Sequence, residues 1–363
     1  MNISSSVHYQ KLANTHSSMT TQVEIDGSSG EGGGQVLRTA LSLSVLTGQP
    51  FRIDHIRARR ANPGLQPQHL AAVHAAAAIS QAEIIGAEVG SQFLKFHPGS
   101  LRPGNYRFDI RTAGSTSLVL QTILIPLSLA DGSSSITLTG GTHVPWSPSF
   151  HYLALHWLPF IQQMGGKIRL TLLNAGYYPQ GGGKVEALIR PTSGLLPIRL
   201  VERGALVEIN GISGVSNLDL DIATRQKHQA LRRLELICRH THIKSQEVPA
   251  FGKGTFLLVV AEFEKTRAGY CALGARGLRA ERVADEACEP LEKLIAGPAA
   301  VDECLADQLL LPMAFAKGES QVYTARITGH LLTNADILRK FLSVNILIQG
   351  NLDQPGLVIV NYP

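Results

Sequence analysis

The stretch I-D-G-S-S-G-E-G-G-G-Q-V-L-R, from Ile25 to Arg38, decides how the chain is read. Val23 to Ile25 is short strand material, and five glycines (Gly27, Gly30, Gly32, Gly33 and Gly34) then fall within eight residues, just ahead of the helical run Val36 to Leu46. A strand that passes through glycines into a helix leaves the first helical N–H groups unpaired and unshielded, which suits a phosphate or another anion. Glu31 lies inside the turn, where a carboxylate repels phosphate oxygens unless a divalent cation stands between them. Gln35 and Arg38 follow at helical spacing and can face the same ligand. Neither G-x-G-x-x-G with a later acidic residue nor G-x-x-x-x-G-K-[ST] fits, so a dinucleotide or Walker-type site is not supported. On the glycines alone, a loop that merely turns the chain remains open.

With 363 residues, 44% of them hydrophobic and 17% charged, the chain is long enough for two or three domains with real cores and is not mainly disordered. Its longest apolar run, Ser117 to Ala130, is broken by Gln121 and Pro126 and is too short to cross a bilayer. The amino terminus carries no apolar stretch of the kind that directs secretion. The four cysteines, Cys238, Cys271, Cys288 and Cys304, lie far apart without a C-x-x-C, which points to neither a zinc site nor a disulfide framework. A cytoplasmic setting without membrane association is expected.

The net charge of +5 is mild, but its distribution is uneven. Arg52, Arg57, Arg59 and Arg60 stand against Asp54, followed by Asn62-Pro63-Gly64 and by Gln66, Gln68 and His69. Guanidinium forks in a Pro/Gly turn suit polyphosphate or a nucleic-acid backbone, although a solvated loop reads the same way.

Taken in order, residues 1–21 form a polar extension without apolar periodicity. From Val23 the pattern runs strand, helix (Gly34 to Leu46), strand (Phe51 to Ile53), helix (Pro67 to Gln81), then strands near Glu83 to Ile85 and Phe93 to Phe96. The same order recurs from Tyr106 to Ile189, a period of about 80 to 90 residues that suggests duplication. From Thr192 to about Gly277 the texture changes, with strands at Ile198 to Leu200, Ala205 to Asn210 and Thr255 to Phe263 and a basic helix from Ile222 to Arg239. Helical pattern resumes at Leu278 to Ala296 and leads into a third, less regular unit. The expected fold is therefore α/β (α+β), with a large domain (22–191 and 278–363) of three repeated β-α-β-α-β-β units and a smaller inserted α/β domain (192–277).

Two polar positions could carry chemistry. In Gly329-His330-Leu331-Leu332-Thr333-Asn334 a histidine stands at a strand-to-helix junction, able to act as base, ligand or nucleophile, or simply to cap the helix. Asp307, in Cys304-Leu305-Ala306-Asp307-Gln308, could orient an imidazole or a ribose, or cap its helix.

Read together, G-E-G-G-G-Q-V-L-R-T-A-L-S-L-S, R-A-R-R-A-N-P-G-L-Q-P-Q-H-L, T-A-G-S-T-S-L-V-L-Q-T, G-G-T-H-V-P, Y-Y-P-Q-G-G-G, C-L-A-D-Q and G-H-L-L-T-N resemble, in that order, the RNA 3′-terminal phosphate cyclase family over roughly Val23 to Val360. The resemblance implies ATP and a divalent metal (Mg or Mn) as cofactors, RNA with a 3′-terminal phosphate as partner, and room for a homodimer. It implies that His330 is the nucleophile that forms a covalent adenylyl-histidine, with an RNA-pp-A end as the next intermediate and a 2′,3′-cyclic phosphodiester as product. Glu31 would hold the metal, Arg38, Arg57 and Arg60 would bind phosphates, and Gln35, Gln68 and His69 would line the same cleft. Gln121, Pro145 and the segment Cys304, Leu305, Ala306, Asp307 and Gln308 would bind the nucleotide. One departure stands out, because that family often has an aromatic residue or histidine where this chain has Cys304, and a cysteine stacks poorly on adenine. The rival readings are a catalytically silent, cyclase-like ribosome-assembly factor, disfavoured by His330 with Glu31, and an enolpyruvyl-transferase-like enzyme, disfavoured by G-H-L-L-T-N.

Overall fold

A computed structural model describes residues 22–362; the expected floppy extension at 1–21 lies outside them. The first unit runs β1 (Val23–Asp26), α1 (Gly34–Thr47), β2 (Phe51–Asp54), α2 (Pro67–Ser80), β3 (Glu83–Ile85) and β4 (Leu94–His97). The second runs β5 (Asn105–Asp109), α3 (Thr116–Ser128), β6 (Ser134–Gly140), a continuous helix α4 made of Phe150–Tyr152, the π-helical Leu153–Trp157 and Leu158–Gln163, then β7 (Lys167–Asn174) and β8 (Gly183–Arg190). β9 (Arg199–Leu200) follows, and the chain then leaves for a separate layer: β10 (Leu206–Ser216), α5 (Leu220–Leu234), β11 (Thr241–Glu247), β12 (Gly254–Phe263), β13 (Arg267–Leu273) and α6 (Ala280–Ala296). It returns as α7 (Glu303–Ala314), β14 (Glu319–Thr324), α8 (Gly329–Phe341), β15 (Asn345–Gln349) and β16 (Gly356–Asn361).

Three four-stranded sheets share one strand order: β1-β2-β4-β3, β5-β6-β8-β7 and β9-β14-β16-β15. In each, the first two strands pair parallel across a helical crossover and the remaining pairings are antiparallel. Strict alternation of buried and half-buried residues along β6 shows why such strands form: one face meets helices and the other meets water. The helices of the three units pack on one another, so α1 is buried nearly all round, through Val36, Leu37, Ala40, Leu41, Leu43 and Ser44. One apolar core runs through all three units.

The inserted layer has its own sheet, β11-β10-β12-β13, and a second core against α5 and α6. Its edges differ from the expected 192–277. β9 pairs with β14 and belongs to the third unit, whereas α6, expected in the large domain, buries Val283, Ala284, Ala287, Cys288, Leu291 and Leu294 in the insert core. The helical spacing of those apolar residues is visible in the sequence, but nothing in it says which sheet the stripe will meet. The charged face of α6 explains the basic helix α5: Arg225 pairs with Glu281, and Arg233 with Asp285 and Glu292. Those arginines are spent on an internal seam. Among the described residues no helix is long and apolar enough to cross a membrane.

Candidate active site

β1 and β2 run so close that a Cβ on Gly27 would stand 2.9 Å from the Asp54 carbonyl oxygen. Beyond that point Gly30 (φ 58°) and Gly32 (φ 57°) take left-handed turns that side chains resist. α1 begins at Gly34, and its N-cap, Gly33, supplies no side chain to bond the first helical N–H groups. They remain open, as the glycine pattern predicts.

α8 enters the same place from the third unit. Thr328 caps it by accepting from the Leu331 N–H (3.0 Å), which puts His330 in the first turn with its side chain accessible. Gly329 has no Cβ, so the Glu31 carboxylate can lie where one would be, 2.6 Å from that position. His330 Nε2 and Glu31 Oε2 are consequently 3.0 Å apart. Thr333 fixes the approach: its hydroxyl donates to the Gly329 carbonyl (2.7 Å) and accepts from the Glu31 N–H (3.3 Å). One turn on, Asn334 donates to Asp307 on α7 (2.9 Å) and accepts from Thr39 on α1 (2.5 Å).

Charge in this region is poorly solvated. Burial raises the Asp307 carboxyl above the usual carboxylate range, against the pull of His330, Asn334 and Arg38. Burial also lowers Arg38 to about 10, with Asp307 opposing, so the guanidinium stays charged at neutral pH. Its hydrogen bond runs to the neutral Gln35 (2.8 Å). A desolvated cation with so little compensation favours an anionic ligand. His69 is buried and held neutral, its pKa pushed down to about 3 by burial and by Arg38 and Arg57. Its Nδ1 accepts from the Gln66 N–H (3.1 Å), which assigns the remaining ring proton to Nε2, the atom lying against Gly34.

A cavity of about 810 Å³ opens beside this pair and is large enough for a nucleotide. Of the residues expected in the site, Gln35, Arg38, Gln121, Pro145, Cys304, Asp307, Gln308 and His330 line it, and Gln121 donates to Gln308 across it (2.7 Å). Leu305 and Ala306 are buried and turn into the core, so their side chains do not line the cavity. Arg60 reaches the glycine turn and donates to the Glu31 carbonyl (3.1 Å). Arg57 donates instead to the carbonyls of Asn62 (2.5 Å) and Gly64 (3.1 Å), bracing its own loop. Gln68 accepts from the Ser115 N–H (3.1 Å) and so ties α2 to the turn before α3.

The sequence reading missed one wall. β13 places Tyr270 and Cys271 on the cavity, and Tyr270 donates to Glu303 (2.9 Å). The apolar residues Ala268, Ala272 and Leu273 gave a strand signal, but R-A-G-Y-C-A-L contains a glycine and lacks clean alternation. Among the described residues no group of three or more His, Cys, Asp or Glu side chains forms a cage for a metal ion. Glu31 alone fits an ion of the magnesium kind, which commonly takes one or two carboxylates and completes its shell with substrate phosphates and water.

These features define a class: a mixed α/β protein whose nucleotide-sized cleft sets a histidine–carboxylate pair beside an anion-accepting helix start. Comparison narrows it. The model of the family described as RNA 3′-terminal phosphate cyclase matches residues 29–348, and the chain belongs to that family. It is 44% identical over 332 residues to the RNA 3′-terminal phosphate cyclase of Ralstonia nicotianae, covering 91% of this chain and 94% of that one. The corresponding protein of Koribacter versatilis is 46% identical over 327 residues (90% and 91%), and that of Thermococcus gammatolerans 43% over 339 (93% and 97%).

Proposed function

We propose that the protein uses ATP to convert an RNA 3′-terminal phosphate into a 2′,3′-cyclic phosphodiester, with His330 as the nucleophile. Family membership supports cyclase activity in general; the finer reading is carried by one observation, that His330 faces Glu31 at 3.0 Å on the edge of a nucleotide-sized cavity.

In the first step a ring nitrogen of His330 attacks the α-phosphorus of ATP. An N–P bond forms, and pyrophosphate leaves with the bridging electron pair. An oxygen of the RNA 3′-phosphate then attacks the same phosphorus and His330 departs, leaving an RNA-pp-A end. Finally the neighbouring 2′-OH attacks the activated RNA phosphorus, loses its proton, and AMP leaves. A phosphomonoester repels nucleophiles and has poor leaving groups, so adenylation supplies what it lacks, and the adjacent hydroxyl is already in position.

Each residue has a share in this. Arg38 and the open N–H groups of α1 hold phosphate charge, and Arg60 reaches the same turn. Glu31 orients the His330 ring and is the residue that would hold a divalent cation, which supplies charge neutralisation of the triphosphate when bound. Gln121, Pro145, Asp307 and Gln308 form the wall where the nucleoside would rest. A catalytically silent, RNA-binding role is not favoured.

Incubation with α-labelled ATP and a divalent metal is expected to leave acid-labile label on the protein, and His330→Ala to abolish it. A wild-type protein that takes no label under reducing conditions refutes the mechanism.

A further inference from the structure

One rim of the molecule carries apolar rings that packing does not require. Among the described residues the three most exposed aromatic side chains are Trp146 (99% exposed), Phe251 (79%) and Tyr178 (72%), and all three stand on connected loops. Backbone bridges join Ser115 to Gly141, His143 to Tyr177, and Ala175 to Ala250. Thr142 and His143 both donate to the Gly176 carbonyl (2.8 and 3.0 Å), and Ala175 donates to Pro249 (2.7 Å). Asn217 donates to the carbonyls on either side of Phe251, those of Ala250 and Gly252 (2.8 and 3.0 Å). The frame is therefore fixed, and the rings are held in water by it. Trp146 also sits at φ 63°, a strained conformation for so bulky a residue.

This rim is continuous with the site. Trp146 lines the cavity, Ser115 is bound by Gln68 next to His69, and the Phe251 ring lies 3.4 Å from where a Gly182 Cβ would be. Arg111 and Lys253 are exposed on the first and last of these loops, and neither enters an ion pair among the described residues. Single rings interspersed with free cations form no contiguous apolar patch of the kind that marks a protein interface. They match instead a single-stranded nucleic acid, whose bases stack on rings while its backbone meets cations.

We propose that this rim is the track for the RNA strand on the 5′ side of its terminal phosphate, with Tyr178 and Phe251 stacking bases and Arg111 and Lys253 meeting the backbone. The inference rests on the RNA-end reading above and adds where the rest of the strand lies.

The test compares cyclisation of a 3′-phosphorylated oligoribonucleotide of about ten nucleotides with that of a 3′-phosphorylated dinucleotide. In Tyr178→Ala/Phe251→Ala the KM for the long substrate should rise at least about thirtyfold, the scale of losing two base stacks, while the dinucleotide KM and protein labelling by α-labelled ATP stay at wild-type levels. Tyr178→Phe/Phe251→Tyr should restore the long-substrate KM, and Arg111→Gln/Lys253→Gln should flatten its salt dependence. An unchanged long-substrate KM, or an equal rise for both lengths, overturns the track while leaving the adenylation reading in place. A wild-type protein that neither takes label nor cyclises either RNA overturns both.

Discussion

Gly30 shows how much of the site hangs on a missing atom. A Cβ there would stand 2.1 Å from the Thr333 hydroxyl, at a φ that L side chains avoid. Gly30→Ala is expected to separate Glu31 from His330 and slow protein labelling by at least about tenfold, since small displacements of reacting groups cost that much; labelling at the wild-type rate would refute this. Arg57 and Arg60 are indistinguishable in the sequence, yet one braces carbonyls of its own loop and the other reaches the glycine turn. Arg60→Ala should therefore slow labelling with an unchanged Tm, whereas Arg57→Ala should lower the Tm as well. Equal thermal melts for the two variants would remove the distinction. At Cys304, exposed on the cavity, an aromatic ring could add stacking on the order of 1 kcal/mol. Cys304→Tyr is then expected to tighten AMP binding a few-fold by calorimetry, and weaker binding would show that the cavity has no room for it.

At the scale of elements, most of the fold was legible. The strand–glycine–helix passage, the recurrence of element order and the turn before α8 depend on local periodicity and on small residues, which a sequence displays directly. What stayed hidden needed partners distant in the chain: the allegiance of α6, the strands β11 and β13, and the direction of Leu305 and Ala306. The anchoring of α7 was hidden for the same reason. Asp302 caps that helix by accepting from the Leu305 N–H (2.9 Å), and it is also bound by His156 (2.6 Å) from the π-helical turn of α4 and by the Tyr152 hydroxyl (2.8 Å). Asp302 and His156 are fully buried. Asp302→Ala leaves the His156, Tyr152 and Leu305 donors without their acceptor in a buried place, so it should cost about 3 kcal/mol or more in urea unfolding, at roughly 1 kcal/mol or more for each stranded group; a loss below about 1 kcal/mol, the worth of a single ordinary hydrogen bond, would contradict this.

Over the whole molecule, neutral buried histidines set the response to acid. Burial pushes His69 down to about 3 and His151 to about 4, and holds His143 well below the ordinary value. In the unfolded chain each titrates near 6.5. Below that pH the unfolded state binds protons that the folded state refuses, so stability falls as pH drops from about 6.5 toward 4. Each group contributes up to about 1.4 kcal/mol per pH unit. The urea midpoint should therefore be clearly lower at pH 5 than at pH 7, and His151→Phe should flatten the dependence by one proton. A midpoint independent of pH in that window would disprove the assignment.

Glu31 and Arg38 come from the first sheet-and-helix unit, Gln121 and Pro145 from the second, and Cys304, Asp307 and His330 from the third. Ownership of the proposed site is thus collective. Severed between β8 and β9, the chain would yield one half holding Arg38 and the open start of α1 and the other holding His330, so under the proposed mechanism neither half is expected to turn over by itself. Under that mechanism, reassembly of the two halves is expected to be what restores turnover.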